Sequence, residues 1–361
     1  MRISLNRLQL ASVLAVAAPV ASRKTTMPIL NNVLLVANGK LDIAATDLSI
    51  AYSSSLPCDA DGEVTLALPA QKLHDAVASM TDKDLRLDVD GLNVELRSGR
   101  SRFKIAGLDP RDFPKRMDTA QLTFHPVPMS ELRFLVEKVE FACNPKNHNI
   151  ALQGIGLNLA EGISAAADGY SCSVVRGDVQ IDVKPVHAPK EALRHVLRAF
   201  EAQDTVEVAV GRQQLYARSG DALVGIALLE EAFPQERVLG FIRRESPHMA
   251  VVERTALIEA LKRVGLMATA EHGLPVDFDL DPGSLRLRSD FGGEAEDEIA
   301  VEYDGFGTKF RIAAKFVVAA LEAMSAQKVT LGVSEEQMAP VYLAPVGDEE
   351  HDVVIMPMRR D

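Results

Sequence analysis

Tryptophan is absent from the 361-residue chain, and aromatic residues make up only 5% of it. That excludes a surface of aromatic stacking platforms of the kind that grips unpaired bases. Cysteine is scarce: Cys58, Cys143 and Cys172 stand far apart with no CxxC pair. A disulfide framework is therefore excluded, and a reducing, cytoplasmic compartment is expected. No apolar run reaches the length of a membrane span, so no membrane partner is expected. Positive charge is in deficit, with 39 Lys and Arg against 51 Asp and Glu for a net charge of −12. The surface cannot be basic all over.

Catalytic signatures are missing as well. Gly154-Ile155-Gly156 and Gly305-Phe306-Gly307 never complete a dinucleotide fingerprint, and no GxxxxGK[ST] cradle for phosphates occurs. The eight histidines form no HExxH pair, and "GYSCS" at Gly169 lacks the second glycine of a nucleophile elbow. "DEEHD" (Asp348 to Asp352) has the donors for a divalent ion, but five adjacent residues cannot converge on one point, so it reads as a solvated turn. "GGEAEDE" (Gly292 to Glu298) reads as an acidic loop, because it lacks the alternating ligands of a calcium site. His74 and His195 read as solvated helix positions. No catalytic residue, metal or cofactor is expected.

What the chain does have is internal repetition. Helical patterns open near Asn6, Ser130 and Arg254, and second helices open after Pro69, after Pro189 and near Ala314. Asp47 and Asp168, in "ATD" and "AAD", are 121 residues apart, as are Arg97-Ser98-Gly99 and Arg218-Ser219-Gly220. Phe113-Pro114 precedes Phe233-Pro234 by 120 residues. Period-two and β-rich stretches lie between the helices. Independent landmarks with one period predict three similar α+β domains, at 1–120, 121–244 and 245–361. The signal-like start, Arg2 and Arg7 followed by "LQLASVLAVAAPVAS", is then the first helix of the first repeat. Leu10, Leu14 and Ala17 recur there on one helical face.

Basic residues gather on the helices: Arg7, Lys72, Arg133, Lys138, Lys190, Arg194, Arg198, Arg254, Lys262 and Arg263. Acid gathers in strands and turns. One reading is a set of solvated helix faces. The other is corresponding helices lining one surface that faces a polyanion. Composition does not choose between them.

"TTMPILNNVLL", "ATDLSIAYS", "RSGRSRFKIAGLDPRDFP" and the terminal "VIMPMR", in this order over the whole chain, resemble the bacterial sliding clamp family. That family is the beta subunit of the replicative DNA polymerase III. The resemblance implies the DNA clamp fold: three domains of two helices on antiparallel sheets, and two chains joined head to tail into a ring around double-stranded DNA. It implies partners too: the replicative polymerase, the clamp loader and other proteins with a clamp-binding motif. By position it assigns a peptide groove to Leu152, Ala167, Gly169, Tyr170, Cys172, Pro234, Arg237, Val238, Met338, Pro340, Val354, Met356, Pro357, Met358 and Arg359. Arg23, Lys72, Lys146, Lys190, Arg194 and Arg198 are expected to face DNA. Phe103 and Ile105, with Leu266 and Met267 of a second copy, are expected at the dimer interface. Family members commonly read Thr-Asp-Gly-His-Arg-Leu where this chain reads Ala167-Asp168-Gly169-Tyr170-Ser171-Cys172, so its departures fall on the groove. Two rival readings stay open: a clamp-fold scaffold that does not encircle DNA, and a metal-dependent hydrolase using "DEEHD".

Overall fold

The computed structural model describes residues 1–21, 25–242, 248–268, 274–290, 292–334, 336, 338–347 and 350–359. The first repeat runs β1 (Arg2–Asn6), α1 (Arg7–Val20), β2 (Asn32–Ala37), β3 (Lys40–Thr46), β4 (Ile50–Pro57), β5 (Asp59–Ala60), β6 (Val64–Pro69), α2 (Ala70–Ser79), β7 (Asp84–Asp90), β8 (Asn93–Ser98) and β9 (Ser101–Ala106). The second runs β10 (His125–Pro128), α3 (Met129–Glu137), β11 (Ile155–Asn158), β12 (Ile163–Ala167), β13 (Ser171–Arg176), β14 (Val186–Ala188), α4 (Lys190–Ala199), β15 (Thr205–Val210), β16 (Gln214–Ser219), β17 (Ala222–Ala227) and α5 (Gln235–Leu239). The third runs β18 (His248–Glu253), α6 (Arg254–Val264), β19 (Pro275–Asp281), β20 (Ser284–Ser289), β21 (Ala295–Glu302), β22 (Thr308–Ala313), α7 (Ala314–Ala323), β23 (Lys328–Val333), β24 (Val341–Pro345) and β25 (His351–Ile355).

Local chemistry explains why the elements recur. The Asn6 carboxamide oxygen accepts from the Leu8 and Gln9 N–H groups and caps α1. Leu10, Leu14 and Ala17 are buried on its inner face. Arg7 donates to the Val77 and Asp82 carbonyls, closing the end of α2. Arg254 does the same for α7 through the Leu321 and Ala326 carbonyls. Both guanidiniums satisfy carbonyl acceptors at or just past a helix end. Asp47 Oδ1 accepts from the Ser49 and Ile50 N–H groups, and Asp168 Oδ1 from those of Tyr170 and Ser171. The repeated aspartate is thus the hinge of an Asx-turn, with Leu48 (φ 77°) and Gly169 (φ 92°) taking the left-handed position.

All strand pairs are antiparallel. A five-stranded sheet has the order β5-β1-β7-β8-β9, an eight-stranded sheet β10-β15-β16-β17-β4-β3-β2-β6, and a twelve-stranded sheet β14-β11-β12-β13-β25-β24-β23-β18-β21-β20-β19-β22. The chain forms two compact units, Met1–Met129 with Glu191–Leu228, and Ser130–Lys190 with Leu229–Asp361. Each unit contains one place where strands of different repeats join. In the first, β17 pairs with β4, with Leu223 opposite Ser53. In the second, β25 pairs with β13, with Asp352 opposite Val174.

Two acidic stretches differ from expectation. "GGEAEDE" enters β21 rather than a loop, because its strand partner is basic: Glu296 meets Arg286 and Arg288, and Glu298 meets Arg286. Opposite charges on neighbouring strands stabilise such a pairing. In "DEEHD", Asp348 and Glu349 lie outside the described residues. His351 and Asp352 are buried in β25 instead of standing in a solvated turn. Ser173 hydrogen-bonds His351, while Arg176 and the Tyr342 hydroxyl donate to Asp352. Burial of Asp352 is tolerated because both its carboxylate oxygens find donors.

Candidate functional site

The second unit carries an apolar cup where β13 meets β25. Cys172 and Val354 face each other across the two strands, and the Met356 N–H donates to the Tyr170 carbonyl at 2.8 Å. The turn at Asp168 sets Tyr170 at the edge of the cup. A run of Asx-turns through Asn144, Asn147 and Asn149 carries the chain to Leu152. α5 closes the opposite side with Val238 buried. Ile163, Ala165 and Val174 form the apolar layer beneath, and Leu152, Phe233 and Ile242 pack against it.

The cup has a volume of about 290 Å³. Ten of the residues expected for the groove line it: Leu152, Ala167, Gly169, Tyr170, Cys172, Pro234, Arg237, Val238, Val354 and Met356. Asn149, Ser171 and Phe241 line it too and were missed. Met338, Pro357, Met358 and Arg359 line a second hollow of about 480 Å³ with Phe310 and Arg311. The Met358 N–H donates to the Arg311 carbonyl at 2.7 Å, and Arg311 is held by Asp277. Pro340 lines neither hollow. The apolar tail is therefore stitched into the sheet and then along Arg311.

Tyr170 is 65% exposed, yet its ring stacks on Phe316 of α7 with centroids 5.9 Å apart. Lys315 Nζ lies over the other aromatic at 4.7 Å. No sequence signal pointed to Phe316, because it comes from a different repeat. The Cys172 thiol is pushed up to about 12 by burial, so it stays protonated at neutral pH and is no nucleophile. Among the described residues no cluster of three or more His, Cys, Asp or Glu is placed to hold a metal ion. An apolar cup with a polar rim of Asn149, Ser171 and Arg237 can bind side chains.

The expected DNA-facing residues are dispersed. Lys72 is exposed on α2 and Lys146 in the Asn-rich turns. Arg23 lies outside the described residues. Lys190, Arg194 and Arg198 follow one another at i, i+4 on α4 and share a face. Lys190 is anchored, its ammonium donating to the Glu140 and Cys143 carbonyls. Arg194 pairs with Glu191, and Arg198 is exposed. His195, expected in solvent, has a buried Nε2, and burial pushes its pKa down.

The expected interface residues sit at edges. β9 is the last strand of its sheet, with Phe103 on its surface and Ile105 turned inward. Leu266 and Met267 follow α6 in a short turn, 78% and 41% exposed.

Comparison with known proteins agrees along the whole chain. Family models described as DNA polymerase III beta subunit, N-terminal, central and C-terminal domain match residues 1–118, 126–235 and 241–359. A beta sliding clamp of Pseudomonas putida is 27% identical over 99% of this chain and all of that protein. One from Synechocystis is 28% identical over 99% of both. The crystal structure of the DNA polymerase III subunit beta from Pseudomonas aeruginosa superposes with a TM-score of 0.93 at 26% identity, covering both chains fully. Three repeats of two helices on antiparallel sheets, an apolar cup at the β13–β25 junction, and these three matches lead to one conclusion: the chain belongs to the DNA polymerase III beta subunit family, the bacterial sliding clamps.

Proposed function

We propose that this sliding clamp, a processivity subunit rather than an enzyme, closes around duplex DNA as a homodimer in the cytoplasm. Its apolar cup holds short peptide segments of the replicative polymerase, the clamp loader and other clamp-binding proteins. The domain breaks are taken at 120 and 244, as the repeats suggest. The observation that carries the peptide reading is the cup itself: about 290 Å³ of apolar space beside a tail that hydrogen-bonds along its rim. Burying one or two apolar side chains there at ~1.5–3 kcal/mol each supports micromolar binding. Calorimetry with a peptide ending in Leu-Phe tests this. Removing Met356 to Asp361 should abolish binding, and equal affinity for intact and truncated chains would overturn the assignment.

DNA retention would come from ring closure, with Arg194 and Arg198 supplying loose phosphate contacts. Neutralising both should flatten the salt dependence of binding by about two units of slope. An unchanged slope would make them ordinary solvated residues. For the dimer, Leu266→Asp with Met267→Asp should give a folded monomer in sedimentation.

A further inference from the structure

In the second unit, α5 divides one face of the sheet into two hollows. On the β13–β25 side lies the cup. On the β14–β11 side lies a second hollow of about 680 Å³. Asn158 and His187 line it from the strands, and Phe233 and Glu236 from the segment that runs into α5. Pro234 and Arg237 border both hollows.

The strands that build this hollow have counterparts in the first repeat. Leu34 pairs with Ala67 and with Ala44, and Ala44 with Ser53. Gly156 pairs with His187 and with Ala165, and Ala165 with Val174. The two joins continue these rows, Leu223 opposite Ser53 and Asp352 opposite Val174. Asn158 therefore stands in the place of Val36, and His187 in that of Ala67. In the first repeat Phe113 packs on Ala67. In the second, Phe233 lies over Gly156, where a Cβ would collide with its ring, and beside the His187 ring at 5.7 Å between centroids. The scaffold accepts apolar residues at both places, and the second repeat has exchanged them for polar ones.

Those polar residues are short of partners. Asn158 is 6% exposed and His187 4%. Asn158 Oδ1 and His187 Nε2 are buried with no hydrogen-bond partner among the described residues. His187 Nδ1 donates to the Glu231 carbonyl at 2.7 Å. Burial pushes the pKa of the ring down against the pull of the Glu231 and Gly154 carbonyls, so the ring is neutral at pH 7 and Nε2 is a bare acceptor. Buried acceptors left unpaired destabilise a fold, and two in one wall point to a donor from outside. The exposed carboxylates of Glu161 and Glu236 stand in the same lining, and neither forms an ion pair among the described residues. Arg237 is the one cation set against them there. Acceptors in the wall and surplus acid fit a ligand that is positively charged and only donates, a guanidinium or an ammonium.

We infer that this hollow takes an arginine or lysine side chain of the same partner segment whose apolar residues fill the cup, with Asn158 and His187 as acceptors and Glu161 and Glu236 facing its charge. The inference rests on the peptide reading of the cup and adds a determinant of partner choice to it. The wall between the hollows sets the spacing. A helix is about 10 Å across and an extended chain advances about 3.3 Å per residue, so the basic residue lies about three or four positions from the apolar pair.

Calorimetry with the full-length protein and two peptides ending in Leu-Phe tests this. One peptide carries Arg about four positions ahead of the Leu, and the other carries Gln there. Wild type should bind the Arg peptide about tenfold tighter. Asn158→Val with Glu161→Gln should bring the two affinities together by weakening only the Arg peptide; an unchanged Gln peptide shows that fold and cup are intact. Glu161→Gln with Glu236→Gln, which alters exposed side chains alone, should shrink the preference about threefold. A preference that survives both double variants overturns the basic-residue site while the cup reading stands. So does the lack of any preference in wild type with Arg moved one position either way. If neither peptide binds, the cup reading falls, and this one with it. Agmatine titrated alone is the last arm. Saturable binding that Asn158→Val with Glu161→Gln abolishes, without any preference for the Arg peptide, makes the hollow a site for a free cation and overturns the peptide occupant.

Discussion

The two joins between repeats have one register and opposite finishes. At the β4–β17 join, the segment after the first repeat lies along the strands. Phe113 packs on Ile29, Leu30 and Ala67, and Arg116 pairs with Asp42 at 2.9 Å. Met117 fills the space above Gly225, where a Cβ would stand 2.6 Å from its sulfur. At the β13–β25 join the matching position is Val354, and the segment after the second repeat instead coils into α5. Nothing in the described chain fills the cup, so Val354 and Cys172 line it. The polar seams differ too: Leu223 in one join stands where buried Asp352 stands in the other. An open cup remains there because the connecting segment forms one wall of it as α5 instead of lying along the strands, with the strand pairing unchanged.

The largest way to break this comparison is to remove Asp352. Asp352→Ala leaves Arg176 and the Tyr342 hydroxyl without their shared acceptor in a buried site. Thermal or urea unfolding should show a loss of about 2–4 kcal/mol. Leu223→Ala at the matching place, where no polar partner is orphaned, should cost less.

A milder change attacks the covered join. Gly225→Val should push Met117 and its segment off the strands, at a cost of about 1–3 kcal/mol. Proteolysis near Lys115 and Arg116 should accelerate. If the segment stays protected, its packing is not what closes that join.

Smaller still is the effect expected at the open join. Met358→Ala should reduce peptide affinity about tenfold, or ~1–2 kcal/mol, with self-association unchanged. Calorimetry beside sedimentation separates the two.

The smallest effect concerns pH. Burial pushes Asp42 up, but the Ser55 hydroxyl and Arg116 outweigh it and hold the carboxyl below its ordinary value. A depressed folded value means the Asp42 contribution is complete above the unfolded value near 4 and is lost as pH falls through the folded one. Asp42→Asn should therefore lower stability modestly at pH 7 and flatten the acid limb below about pH 4, the difference from wild type vanishing at low pH. No equivalent ion pair in the other join should shift with it.

Much of this was legible beforehand, for identifiable reasons. Leu10, Leu14 and Ala17 revealed α1 because helical spacing is local. Asp47 and Asp168 stood out because an Asx-turn needs that side chain at that place. Ten of the residues that line the cup were named through family position, which carries tertiary information that spacing does not. Phe316 and Phe241 were missed because neither sits in a recognisable pattern. "GGEAEDE" and "DEEHD" misled, since acidic runs look solvated until their partners are known. Those partners, Arg286 and Arg288 on a neighbouring strand and Arg176 and Tyr342 around Asp352, are set by sheet register.

The sequence by itself determined three repeats with their helices and turns, because each depends on residues close together in the chain. Only the tertiary structure decided which strands of different repeats join, that His351 and Asp352 are buried, and that one join is covered while the other is open. Those outcomes depend on side chains over a hundred residues apart meeting at fixed places in a sheet, and on whether the following segment packs down as at Met117 or coils away as at α5.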